Sequence, residues 1–244
     1  MLDALTMTPA ERREKSHDNR LIITRFLRDE IFSDSEVLAQ LLGLSHTSSV
    51  NKILNSMTEA GFLIKHRLPS KKIIWGISAC GALFSYENAD DAPVDFKTFR
   101  ASKFNALTFE HKKALQKIRL KAQRMGLEDW QTLPIVSGRK SPDGLVLWPE
   151  KGLIAIEYEK TIKASKRYEG IIRAHLESVV AKRYKHVFYI CPNESLTGHV
   201  KRIFTKQIGR DFVVQGQRMI LTEKAFVSIF HFYSLDHFLR LKGR

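Results

Sequence analysis

Cysteine is nearly absent from this chain. Cys80 and Cys191 stand far apart and outside any CxxC or Cys/His cluster, which excludes a disulfide framework and a structural zinc site. No uninterrupted apolar run approaches the ~20 residues that a bilayer-spanning helix needs. Met1 to Lys15 also lacks an apolar signal core, so no membrane insertion and a cytoplasmic location are expected. Acidic residues are in short supply, with 26 Asp and Glu against 40 Lys and Arg, a net charge of +14 and a pI near 9.8. This imbalance makes a polyanion, nucleic acid first, the expected partner, because each phosphate neutralised releases condensed counterions. A membrane surface ranks lower, since no basic amphipathic helix with a clean aromatic face and no lipidation signal is present. The nine histidines include no His-X-His pair, which argues against a metal-bound histidine triad serving a tyrosine nucleophile. What remains, 43% hydrophobic and 27% charged in 244 residues, is an ordinary folded chain with room for one large domain or two small ones.

Hydrophobic spacing organises the N-terminal third. Residues up to Lys15 are polar and read as a frayed or short lead-in helix. From Ser16, Leu21, Ile22, Phe26, Leu27 and Ile31 recur at helical spacing and predict a helix ending near Phe32. Ser33 to Glu36 supplies caps for a second helix that stops at Gly43, and Ser48 opens a third, carrying Val50, Ile53, Leu54 and Met57 and closed by Gly61. Phe62 to Ile64 and Ile73 to Ile77 read as a strand pair about Pro69 to Lys72. Residues 85 to 105 lack periodicity and read as a linker. A strongly basic helix from about Thr108 to Met125 follows, then a strand candidate from Trp130 to Val136. Further on come a helix to about Arg183, a buried strand His186 to Cys191, a helix from about Ser195 to Ile208 and two short strands. The aromatic cluster from Phe226 to Phe238 reads as core or a docking face. Alternating helix and strand predicts an α/β core with a partly parallel sheet.

The chemistry concentrates between Ser141 and Tyr168. Pro142-Asp143-Gly144 opens one apolar strand, Glu150-Lys151-Gly152 marks a hairpin, and the second strand continues into Glu157-Tyr158-Glu159. Strand side chains alternate, so Glu157 and Glu159 share a face and repel unless something positive stands between them. With Asp143 from the neighbouring strand, three carboxylates could converge on Mg²⁺ or Mn²⁺, hard ions that prefer oxygen ligands. The plainer alternative is that both glutamates face solvent on a charged edge strand.

The pattern over about Ser16 to Phe84 resembles a winged helix-turn-helix. The resemblance implies a DNA-binding domain over residues 1–84, with Ser48, Asn51 and Lys52 of the third helix in a major groove and Lys65, Arg67, Lys71 and Lys72 of the wing on phosphates, ahead of the protein–protein role that such modules also serve. Residues 106–244 resemble the PD-(D/E)XK restriction-endonuclease-like α/β domain: Pro142-Asp143 matches its first motif, and Glu157-Tyr158-Glu159 stands where (D/E)-X-K usually stands, with Glu in place of Lys. Lys166 is then the candidate for a lysine moved to the following helix; Lys160 points to the opposite strand face and ranks second. As a whole the chain is similar to the MobC-type plasmid mobilisation relaxases, related to the replication-relaxation group. That likeness implies metal-dependent nicking of one DNA strand at a plasmid origin of transfer by hydrolysis, alongside an accessory mobilisation protein and a coupling protein. Asp143, Glu157 and Glu159 would hold the metal, His111 would assist, and Lys117, Arg124 and Arg167 would contact DNA. The rival expectation is a non-catalytic plasmid replication or transcription regulator that binds DNA through the winged helix.

Overall fold

The computed structural model describes residues 7–86, 95–133 and 141–242. Contacts divide the chain into two compact units, Met1–Lys113 and Ala114–Arg244. The fold is mixed α/β and contains a mixed sheet.

In the first unit, helix α1 (Pro9–Glu30) begins a full two turns before the periodicity suggests. Its start is set by polar chemistry: Thr8 and Glu11 form a reciprocal capping box with Pro9 in the first turn. The expected end near Phe32 also moves, because Ile31 takes a positive φ of 68° and turns the chain into strand β1 (Phe32–Asp34). Helices α2 (Ser35–Leu41) and α3 (Thr47–Glu59) follow, then strands β2 (Leu63–Arg67) and β3 (Ile73–Ile77) and helix α4 (Ala79–Phe84). The three strands form an antiparallel sheet in the order β1-β3-β2. Their core is built from Ile23, Leu27, Val37, Leu38, Val50, Leu54, Met57 and Ile74, all with no more than trace exposure. Strand β1 and helix α4 carry no strong signal in sequence because each is short and gains its stability from the neighbours it packs on.

Residues 87–94 of the aperiodic stretch lie outside the described residues, and residues 95–104 contact the first unit's sheet through Phe99. Phe99 is buried, its N–H donates to the carbonyl of Ile77 at 2.9 Å, and its side chain packs closely on Gly76. A Cβ on Gly76 would fall among the Phe99 ring atoms, so glycine is required there by close approach.

Helix α5 (Ala106–Arg124) crosses the division between the units. The second unit continues with strands β4 (Glu128–Gln131), β5 (Gly144–Trp148) and β6 (Gly152–Tyr158), helix α6 (Ser165–Val180), strand β7 (His186–Cys191) and helix α7 (Glu194–Thr205). The strand expected from Trp130 to Val136 ends at Gln131, and residues 134–140 lie outside the described residues. A small hairpin of β8 (Asp211–Val214) and β9 (Gln217–Ile220) precedes helix α8 (Glu223–Ile229), strand β10 (Phe230–Ser234) and helix α9 (Leu235–Arg240). Five strands form one sheet in the order β10-β7-β6-β5-β4. The β4-β5-β6 side is antiparallel, whereas β6, β7 and β10 run parallel. The β5–β6 connection turns through Pro149 to Lys151, with Lys151 N–H donating to Trp148 O and Gly152 at a φ of 90°.

Period-two alternation gives this sheet two buried faces. Leu145, Ala155, Val187, Tyr189 and Cys191 face Tyr168, Ile172 and Leu176 of α6, while Val146, Ile154, Ile156 and Phe188 pack with Ile118 and Ala122 of α5. The C-terminal aromatic cluster belongs to this core: Phe226, Phe230 and Phe238 are buried. Sequence periodicity misses β10 because its residues face covered surfaces on both sides and so do not alternate in polarity.

Candidate functional site

Glu157 sits on the α6 face of β6, in register with Tyr189 of β7, and Glu159 follows two residues later, just past the strand end. Both are buried, at 9% and 6% exposure, so the reading as solvent-facing edge charges does not hold: β6 is an interior strand between β5 and β7. Asp143 precedes Gly144, which pairs with Ile156, so it stands at the register position adjoining Glu157 and shares the face of Leu145. Its Oδ2 accepts a hydrogen bond from Tyr158 N–H at 2.8 Å. The local geometry depends on Gly144 lacking a side chain, because a Cβ there would come within 2.6 Å of the Trp130 ring.

Two sets of neighbours surround the buried carboxylates. Lys163, on the turn leading into α6, places its Nζ on the Glu159 carboxylate, and its own N–H donates to Tyr168 Oη at 3.2 Å. His175, on the second turn beyond Tyr168 and 1% exposed, places Nε2 3.4 Å from Glu157 Oε1 and 3.0 Å from Tyr189 Oη. Its Nδ1 lies 2.7 Å from Tyr184 Oη. Burial pushes the Tyr184 phenol up to about 12, and burial together with the nearby Glu157 and Glu159 pushes Tyr189 well above its ordinary value. Both phenols therefore stay protonated and neutral at neutral pH and serve as hydrogen-bonding partners of the imidazole.

Cys191 closes the same region. Burial raises its thiol to about 11, with Glu159 adding to the effect. At pH 8 a native-state labelling assay with a thiol reagent is accordingly expected to modify exposed Cys80 alone, with Cys191 reacting only after denaturation. Two equally fast thiols in the native protein would contradict this burial.

Placement of the other expected residues is uneven. Lys166 and Arg167 are exposed on the first turn of α6, and Lys160 is exposed past the end of β6. The lysine that meets a carboxylate is Lys163, which the sequence reading did not single out. Its contact depends on how residues 159–164 fold back, and no spacing rule encodes an irregular segment. His111 is half-buried on the part of α5 that belongs to the first unit. Lys117 is half-buried and Arg124 exposed on the part that belongs to the second.

In the first unit Ser48 and Lys52 are exposed on α3, and Arg67 and Lys71 are exposed on the β2–β3 hairpin. Asn51 differs: its Oδ1 accepts from Ser35 Oγ at 2.6 Å, and Ser35 Oγ accepts in turn from Trp75 Nε1 at 2.9 Å, so its carbonyl oxygen is committed to the fold. Lys65 reaches Asn55 Oδ1 at 2.8 Å and Lys72 pairs with Glu110 at 2.8 Å.

Comparison of the chain with protein-family models, curated proteins and solved structures found no match. The site must therefore be judged on its own chemistry. Asp143, Glu157 and Glu159 offer oxygen donors from adjoining positions on one sheet face, a donor set that fits Mg²⁺ or Mn²⁺. Among the described residues, no three His, Cys, Asp or Glu side chains are gathered as a metal-binding group; Asp143 accepts from Tyr158 N–H, Lys163 lies on Glu159, and Glu157 stands beside His175.

A second feature lies at the same end of the sheet. Beyond the carboxyl ends of parallel β7 and β10 opens a cleft of about 620 Å³ lined by Asn193, Glu194, Ser195, Ser234, Asp236, His237 and Arg240. Open α/β sheets bind ligands at this position. No described helix is long and apolar enough to cross a membrane.

Proposed function

We propose that this protein is a metal-dependent DNA endonuclease that nicks one strand by hydrolysis, acting as a plasmid mobilisation relaxase of the MobC type. The observation that carries the reading is the pair of buried carboxylates two residues apart on one face of β6, with Lys163 on Glu159 and Asp143 at the adjoining register position. Support comes also from the element order of the second unit, a basic helix, an antiparallel meander, a crossover helix and a parallel strand, which is the order expected of a PD-(D/E)XK nuclease. In the first unit, the order of three helices and a hairpin, with Ser48, Lys52, Arg67 and Lys71 exposed, supports a winged-helix contact with duplex DNA.

Asp143, Glu157 and Glu159 would hold Mg²⁺ or Mn²⁺. When bound, such an ion lowers the pKa of a coordinated water and offsets charge on the phosphate. The chain's own part is to orient Asp143 through Tyr158 N–H, and to supply the Lys163 ammonium where negative charge builds during cleavage. His237 and Arg240 in the adjoining cleft are suited to the flanking phosphates. The setting would be the cytoplasm, with an accessory mobilisation protein and a coupling protein as partners.

The test is conversion of supercoiled plasmid carrying the cognate origin of transfer to open circles by purified protein. Nicking is expected with Mn²⁺ or Mg²⁺ and is expected to fall at least tenfold in Asp143→Ala and Glu157→Ala. Equal nicking by those variants would remove the site, and a DNA end that stays linked to protein until protease is added would remove the hydrolytic route. One observation favours a second reading, in which the second unit is a non-catalytic part of a DNA-binding regulator: Glu159 already has its counter-charge in Lys163. Origin binding without nicking under any divalent ion would favour that reading.

A further inference from the structure

Residues 95–104 and strand β1 enclose a cleft of about 370 Å³ in the first unit, a size typical of small-ligand pockets, which run from about 300 to 1,000 Å³. Its wall is aromatic: Phe32, Phe96 and Phe104 line it and each is only half-buried. Phe32 and Phe104 meet edge to face, with centroids 5.2 Å apart at 73°, forming a corner rather than a closed stack. Phe99 anchors this corner from beneath by seating on Gly76, so the rings are held by the β-sheet.

The lining is also basic. Lys97, Arg100 and Lys103 line the cleft and are exposed, against a single acidic lining residue, Asp95. Lys112, which does not line the cleft, sits over the Phe32 ring 4.5 Å from its centroid. Among the described residues none of Lys97, Arg100 and Lys103 is ion-paired. Clustered like charges are unfavourable without a counter-charge, and an aromatic wall contributes nothing to holding duplex phosphates. An aromatic surface flanked by cations is instead the pairing that single-stranded nucleic acid uses, a base stacking on the rings while neighbouring phosphates meet the cations.

We propose that this cleft binds an unpaired nucleobase of single-stranded DNA, with the flanking phosphates on Lys97, Arg100 and Lys103. The inference rests on the reading that DNA is the partner, and it adds a contact for a separated strand that the exposed α3 and hairpin residues do not provide.

The test uses the full chain and a thymine-rich 12-nucleotide single strand bearing one 5-iodouracil, compared with the duplex of the same sequence. Irradiation is expected to cross-link the single strand to Phe32, Phe96 or Phe104, located by mass spectrometry. In fluorescence anisotropy, Phe104→Ala is expected to weaken single-strand binding at least tenfold and Phe104→Trp to retain it, while duplex affinity changes less than twofold. Arg100→Glu with Lys103→Glu, at exposed positions outside the core, is expected to weaken single-strand binding at least tenfold as well. Cross-links mapping only elsewhere would overturn the proposal, as would unchanged single-strand affinity in these variants. If duplex binds normally while those results fail, this inference alone is lost. If neither form of DNA binds, the DNA reading falls with it.

Discussion

Lys163→Met is expected to lower metal-supported nicking by about two to three orders of magnitude, whereas Lys166→Met should leave it within a few-fold of the wild type. Removing one well-placed group that stabilises charge in a transition state costs about 10²–10³ in rate, or about 2.7–4 kcal/mol. Lys163 has that placement, because its Nζ already lies on the Glu159 carboxylate, whereas Lys166 is exposed on the first turn of α6. Loss of Lys163 also strips a buried carboxylate of its counter-charge, so Lys163→Met should melt at lower temperature for a purely structural reason. The double variant Glu159→Gln with Lys163→Met reads the structural part alone: a neutral amide needs no counter-charge, so stability should return, while nicking stays lost because Glu159 is itself a proposed metal ligand. Recovery of nicking in the double variant, or a dead Lys166→Met beside an active Lys163→Met, would show that the catalytic lysine is elsewhere.

The second large effect concerns His175. His175→Ala is expected to cost roughly 2–4 kcal/mol, from about 1–3 kcal/mol for a buried polar group left unsatisfied together with the cavity that truncation leaves. For a unit of this size that corresponds to a fall of about 10 °C in melting temperature, readable by circular dichroism or calorimetry. The imidazole bridges Tyr184 and Tyr189 and stands beside Glu157, so its loss deprives three buried polar groups of a common neighbour and leaves a cavity between α6 and the sheet. His175→Leu combined with Tyr184→Phe and Tyr189→Phe should recover part of the loss, since removing all the partners together leaves fewer groups with unmet hydrogen bonds. A His175→Ala protein that melts with the wild type would mean that this network contributes little, and that Glu157 is held by other contacts.

Much of the carboxylate arrangement is legible in the sequence. The alternation in Glu157-Tyr158-Glu159 put both acids on one face, and the hairpin signal at Glu150-Lys151-Gly152 brought Asp143 beside them, because a strand's period of two and a tight turn are local properties. Helical spacing likewise put His175 on the buried side of α6 with Tyr168 and Ile172. What spacing could not express was burial. An interior strand with two charged residues reads like an edge strand until the parallel β7 is known to cover it, and that pairing joins residues about thirty positions apart.

Three further features were decided by tertiary structure alone. Lys163 reaches Glu159 through an irregular turn, where no periodicity predicts direction. Residues 95–104 looked like a linker because three phenylalanines among polar residues are too few to mark an element; Phe99 seats on the notch at Gly76, a complementarity between distant parts of the chain. Strand β10 pairs with β7 across some forty intervening residues, so its place was likewise hidden. By itself the sequence determined the basic character of the chain, its main helices, and the pairing of two acids on one strand face, because composition and local period settle these. Burial of those acids, their lysine and histidine neighbours, and the aromatic cleft were decided only when non-local contacts closed, since each needs surfaces that no single segment carries.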